Sequence, residues 1–310
     1  MPLVGAAGIG SMLGSGIIIG LSATITVWQS GLGLTDGQVG ILSGALTFAI
    51  AAGSLLAGNI TKLFGLIRSF NMMNLMYLIG AAICVLSGNF PVLLAGLIIT
   101  GFASGADLPI SLTVISHDAP NEKVSASLIA STQVFWQIGV LGSYAMAFIV
   151  SHVEGAAGAR MVFALLAVLA GIAFVWRTFS KKFKEFHAAG DEYRAAEGTK
   201  TSTEVSFASL FKGTDGKKYV SFFSCIIIFY VCWNLLANTF GQFQTYILVK
   251  ANASQSLATG CGIVLNIVGL ICGILFASAA GSKHRNKFFY VGIVIQAGAM
   301  IGIALGGGTI

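Results

Sequence analysis

The sequence predicts an all-α membrane protein of about nine transmembrane helices, six before a polar central stretch and three after it. Three observations carry that prediction. Only 9% of the residues are charged and 56% are hydrophobic, whereas a soluble domain carries about 25% charge. Apolar runs of about 20 residues, the length that crosses a hydrocarbon core, recur along the whole chain. The one long interruption, Thr178 to Lys218, holds eight of the 17 Lys and Arg residues, and charge at the bilayer centre costs about 2.5–3.5 kcal/mol or more per residue.

Taken in order, the predicted spans are 6–28, 37–58, 69–87, 91–115, 125–150, 159–178, 219–247, 255–279 and 288–307. Glycine, proline and polar clusters punctuate them. The first run starts almost at Met1 with no cleavage-site pattern after it, so it reads as a retained helix. The pairs Gly10/Gly14, Gly16/Gly20 and Gly101/Gly105 have the spacing that lets membrane helices approach closely. Gly8, Gly10 and Gly14 follow no strand, so a dinucleotide loop is excluded. Within the central stretch, Phe179, Phe183 and Phe186 recur at helical spacing among Lys181, Lys182 and Lys184. That pattern predicts an amphipathic helix on the inner leaflet, with a wholly disordered linker as the equal alternative; Phe207, Leu210 and Phe211 repeat it more weakly. The chain thus divides into an N-terminal six-helix bundle (1–178), a linker with an amphipathic segment (179–218) and a partial C-terminal bundle of three helices (219–310).

Charge sets the orientation. With residues 179–218 inside, an even number of preceding spans puts the N-terminus inside as well. Fifteen of the 17 Lys and Arg then face the cytoplasm, and only Arg160 and Lys250 face out. A bacterial inner (plasma) membrane is the expected location. The net charge of +6 is topology and attraction to anionic lipid heads; the partners expected are the bilayer and a small solute, with no nucleic acid. The five cysteines lie in apolar runs without CxxC spacing, and the four histidines sit in separate loops. No metal, cofactor or catalytic set is expected, and the chain does not read as an enzyme.

Six spans, a basic cytoplasmic loop and further spans resemble the major facilitator superfamily of secondary transporters. The segment Gly58-Asn-Ile-Thr-Lys-Leu-Phe-Gly65-Leu-Ile-Arg68 is similar to that family's signature loop, with Lys62 where the family carries Asp. Gly101-Phe-Ala-Ser-Gly105-Ala-Asp107-Leu-Pro109 resembles the fourth-span segment of its sugar-, polyol- and organic-acid-porter branches; Leu97 stands where those carry Arg. The loop containing Arg285 and Lys287 is similar to the second-half copy of the signature. The resemblance implies a major-facilitator-type bundle of twelve spans, so nine spans read as a member truncated after the ninth.

The substrate site is sought among mid-span polar residues at helical spacing. In the seventh span, Tyr230, Asn234, Asn238 and Gln242 recur every fourth residue beside Trp233. Amides both donate and accept, which suits a neutral polyhydroxylated ligand; the alternative for such a face is interhelical bonding. In the fifth span, Gln133, Trp136 and Gln137 share a face. The resemblance places substrate contacts in these same two helices. Trp28 and Gln29 read as interfacial anchors. Asp107 is the one carboxylate deep within a span, a candidate for coupling through a proton or cation; its place in the cytoplasmic half of the span, close to Pro109, favours a structural role at the bundle's inner gate. The resemblance implies an acid in the first span of proton-coupled sugar porters; none stands here, so facilitated diffusion stays open beside symport. The expected function is alternating-access transport of a sugar or polyol. The alternatives are a transport-incompetent remnant and a drug or organic-acid transporter of the same fold.

Overall fold

The structure is a computed structural model that describes residues 2–119, 122–153, 155–196, 216–280 and 285–305. These residues form ten helices: α1 (Pro2–Leu32), α2 (Asp36–Phe64), α3 (Leu66–Leu86), α4 (Phe90–Asp118), α5 (Glu122–Ile149), α6 (Ala157–Phe179), α7 (Lys181–Ala196), α8 (Gly216–Lys250), α9 (Gln255–Ala280) and α10 (Arg285–Leu305). Nine coincide with the predicted spans. As described, α1–α4, α6 and the first part of α9 are long and apolar enough to cross a membrane, and α8 and α10 hold the shorter apolar stretches Val220–Cys232 and Tyr290–Ala299. The protein is an integral membrane protein.

Local chemistry fixes the helix ends. Thr35 caps α2 reciprocally: its Oγ1 accepts from Gln38 N at 3.2 Å while Gln38 Oε1 accepts from Thr35 N at 2.9 Å. Gly65 separates α2 from α3 at φ +84°, a backbone conformation that penalises any side chain. The Asn89 side chain caps α4 through Val92 N at 3.1 Å, and Pro91 occupies the first turn, where its missing N–H costs nothing.

Helix α1 threads the middle of the first six helices. Leu13, Ile17, Ile25 and Trp28 on it are fully buried, and it is bonded to α3 and α5. Tyr77 of α3 donates to Leu13 O at 2.9 Å, Ser143 of α5 donates to Gly16 O at 3.2 Å, and its own Ser15 donates to Trp136 O at 2.7 Å. Helices α2 and α4 meet at the predicted glycine pair: a side chain at Gly105 would overlap the Ile50 carbonyl, and one at Gly101 would press on Leu46. Pro109 has no N–H, so α4 cannot donate to the Gly105 carbonyl one turn earlier. Ser54 of α2 supplies that bond at 2.8 Å, a neighbour helix satisfying backbone freed by proline.

Two expectations are corrected. Trp28 is not an interfacial anchor: it is fully buried and packs edge-on against Phe163 of α6, with ring centroids 5.7 Å apart. The three phenylalanines Phe179, Phe183 and Phe186, the first ending α6 and the others on α7, do not all lie on lipid. Phe183, 1% exposed, plugs the end of the bundle against Trp176, while Phe179 and Phe186 remain exposed. The free energy of filling that apolar cavity outweighs laying the ring on the membrane surface. Residues 207–211 lie outside the described residues.

Candidate functional site

Two polar sites emerge, one in an open groove and one buried. The first lies between α8 and α2. Tyr230, Asn234, Asn238 and Gln242 line one groove of about 400 Å³, together with Thr239, Phe243 and Thr47. Spacing by four keeps the side chains in one row, and their hydrogen bonds run along it. Asn234 Nδ2 donates to Tyr230 O at 2.8 Å, Asn238 Nδ2 donates to Asn234 Oδ1, and Gln242 Nε2 donates to Thr47 Oγ1 at 2.8 Å. The Thr47 hydroxyl itself donates to Ser43 O at 3.0 Å. Thr47 therefore offers Gln242 a lone pair, and the row presents neutral donors and acceptors without a charged side chain among the groove's lining. Thr47 is absent from the sequence-derived set, because a single threonine in an apolar span carries no periodic signal.

The fifth-span set is dispersed. Trp136 lines a separate cavity of about 60 Å³ with Ser11, Gly14, Ser54 and Ser104. Gln137 is half-buried and Gln133 exposed, and neither lines the α8 groove. The groove's partner from the first six helices is α2, not α5. A larger groove of about 870 Å³ between α5, α8 and α9 is apolar apart from Gln244 and Ser256.

The second polar site is the surrounding of Asp107, 4% exposed. Arg177 of α6 approaches it in a two-pronged pair, Nη1 to Oδ1 at 2.6 Å and Nη2 to Oδ2 at 3.2 Å. Ser111 donates to Oδ2 at 3.3 Å, Phe70 O accepts from Arg177 Nη1 at 3.0 Å, and the guanidinium lies 3.8 Å above the Phe70 ring. Oriented by the donors around it, the Asn74 amide oxygen accepts from Nε at 3.0 Å and Nη1 at 2.7 Å. A side chain at Gly10 would overlap Asp107 Oδ2, so α1 covers the pair only because residue 10 is glycine. Read from sequence, Arg177 is a flanking basic residue at a helix end; it is 3% exposed and serves Asp107 instead.

The α8 groove is closed at one end. Ser22 of α1 donates to Gly241 O at 2.8 Å, Gln255 Nε2 donates to Ala23 O at 2.8 Å, Ser151 pairs with Ser256 at 2.9 Å, and Lys250 reaches Asp36 at 3.1 Å. A side chain at Gly262 would overlap the Tyr144 ring. These contacts join α8–α9 to α1, α2 and α5, and all gather at the end bearing the α1–α2 loop. At the opposite end, where α4 and α6 finish, Phe222, Ile228 and Tyr230 of α8 are exposed.

Comparison with known proteins adds the family. The sequence profile of the Major Facilitator Superfamily matches residues 4–310. The chain is 30% identical over 292 residues to the minor myo-inositol transporter IolF of Bacillus subtilis (strain 168), covering 92% of this chain and 64% of that protein. It is 26% identical over 153 residues to the D-xylose-proton symporter-like 2 protein of Arabidopsis thaliana, covering 48% of this chain and 30% of that one. The chain thus spans less than two thirds of the length of either relative. Its fold resembles the xylose transporter XylE from E. coli in a partially occluded inward-open conformation, with TM-score 0.68 and 14% identity over 91% of this chain and 73% of that one.

Proposed function

The chain belongs to the Major Facilitator Superfamily, a family of membrane transporters and not of enzymes, and on that premise we propose that it moves a small neutral polyhydroxylated solute, a sugar or polyol, by alternating access. The observation that carries this reading is the uncharged polar row Tyr230–Asn234–Asn238–Gln242 facing Thr47 in one groove. A hydroxyl-rich ligand exchanges its water bonds for these amides at modest net gain per bond, about 0.5–1.5 kcal/mol. An organic anion would need a cation in the groove, and its lining supplies none. Two similar proteins, a myo-inositol transporter and a xylose symporter-like protein, support the same solute class.

In this reading the molecule is closed outside and open inside. The contacts of Ser22, Asp36 and Ser151 with α8 and α9 seal the outer end, while residues 1–178 and 219–310 separate toward the cytoplasm. The distribution of Lys and Arg supports a cytoplasmic N-terminus and cytoplasmic residues 179–218, in a bacterial plasma membrane. Asp107, held by Arg177, acts on the gating side, fixing α4 to α6. A co-transported proton or cation would have to compete with that guanidinium.

Reconstitution tests the proposal. Purified protein in liposomes should take up myo-inositol or D-xylose saturably, should not take up lactate, and should lose uptake in the Asn238→Ala/Gln242→Ala variant. Uptake of neutral polyols no faster than in empty liposomes, or uptake unaffected by the double substitution, sinks the reading.

A further inference from the structure

A second cluster of titratable groups lies where α7 meets the end of α4. Asp118 is the last residue of α4, and its side chain is fully buried. Both carboxylate oxygens are taken by imidazoles: His117 Nδ1 lies 2.7 Å from Oδ1, and His187 Nδ1 of α7 lies 2.5 Å from Oδ2. The other ring nitrogen of His117, Nε2, lies 3.2 Å from Asp191 Oδ1, also on α7. On α7, Phe183, His187 and Gly190 form one buried stripe; Phe183 stacks on His187 with centroids 6.4 Å apart. Gly190 sits where an added side chain would press on Asp118 and His117 at 3.0 Å.

A neutral imidazole has one N–H, but His117 faces a carboxylate oxygen at each nitrogen. Only the imidazolium can donate to both. A carboxylate at a helix C-terminus is also opposed by the helix dipole, which an imidazolium donor offsets and a neutral one does not. Among the described side chains, the charged groups facing the imidazoles are Asp118 from α4 and Asp191 from α7. Arg177 of α6 is committed to Asp107. On α7, Lys181, Lys182, Lys184, Glu185 and Glu192 occupy its exposed sides. Helix α1, which also contacts α7, carries no titratable side chain, and the side chains of Glu122 and Lys123 on α5 and of Tyr193 and Arg194 on α7 lie outside the described residues.

We propose that α7 is a proton-operated clasp, docked on the end of α4 through His117, Asp118 and His187 when the imidazoles are protonated and released when they lose their protons. In the orientation proposed above, the clasp reads cytoplasmic pH. Helix α7 follows α6 after the single residue Ser180, so the docked clasp ties together the ends of α4 and α6, the two helices joined deeper in the bundle by Asp107 and Arg177. Because the docked state binds more protons than the released one, docking is strongest at low pH and is lost as pH rises. Histidine is the side chain that changes charge across this range.

Amide hydrogen exchange of the full chain in nanodiscs, read by mass spectrometry and corrected for intrinsic rates, tests the clasp without requiring transport or a sidedness assignment. Between about pH 6 and about pH 8, protection of α7 amides should fall, by up to about tenfold per pH unit for each proton released, while α4 amides between residues 93 and 106 stay protected. The His117→Gln/His187→Gln variant should flatten that dependence, with the same α4 amides reporting that it is folded. If the variant loses α4 protection, Asp191→Asn should reduce the slope instead, because it removes only the exposed carboxylate. Protection of α7 that is independent of pH in the wild-type chain overturns the proposal, and so does a pH dependence that survives in the folded variants.

Discussion

Asp107 on α4 and Arg177 on α6 lie 70 positions apart in sequence and 2.6 Å apart in space, inside a membrane-embedded bundle. The guanidinium is bound on every side that the structure describes, by Asp107, Ser111, Asn74 and the Phe70 carbonyl and ring. Removing one member of a buried pair leaves the other charge uncompensated, at about 3–5 kcal/mol. Asp107→Asn should therefore lower the melting temperature of the detergent-solubilised protein markedly. Asp107→Leu combined with Arg177→Met should recover most of the loss, since both charges then leave the core. A single substitution that melts with the wild type would show that the pair is not a strut.

Ser54 and Pro109 make a second coupled pair. Ser54→Ala leaves the Gly105 carbonyl without a donor, at about 1–3 kcal/mol. Pro109→Ala restores the N–H that α4 itself lacks. The cost of Ser54→Ala should shrink in the Pro109→Ala background, measured as a double-mutant cycle of unfolding midpoints. Equal cost in both backgrounds would mean that the 2.8 Å bond is incidental.

Thr47 enters the candidate site through its bond to Gln242. Thr47→Val keeps the shape and deletes the acceptor, and should weaken polyol binding by up to about tenfold, the worth of one hydrogen bond. Thr47→Ser should keep wild-type affinity. Gln133→Ala, on an exposed position away from the groove, should leave affinity unchanged. Ligand-induced quenching of tryptophan fluorescence gives the dissociation constants. Equal affinities for the valine and serine variants would remove Thr47 from the site.

Orientation can be checked with single cysteines in a cysteine-free background. Ala189 on α7 and Asn252 in the α8–α9 turn are both exposed, at opposite ends of the bundle. A membrane-impermeant thiol reagent added to intact cells should label Asn252→Cys and spare Ala189→Cys. The reverse pattern would invert the topology.

Composition alone determined that this chain lives in a membrane and where its helices run. An apolar stretch of about 20 residues has no other low-energy state in lipid, since every backbone group must be bonded within the helix. That α4 offers a face for close approach was likewise legible, because Gly101 and Gly105 leave room at a fixed spacing whatever lies opposite; that α2 fills it was not. The amide row of α8 was legible as a row, because residues four apart share a helix face. What faces each helix was not written in any local pattern. Only tertiary packing decided that the amides look at Thr47 and not at Gln137, that Phe183 fills the bundle end rather than lying on lipid, and that Trp28 is core. It decided too that Arg177, at a helix end where a flanking cation is expected, turns inward to Asp107. Helix–helix neighbours are chosen by van der Waals fit and by the partners buried polar groups must find, and those partners lie tens of residues away.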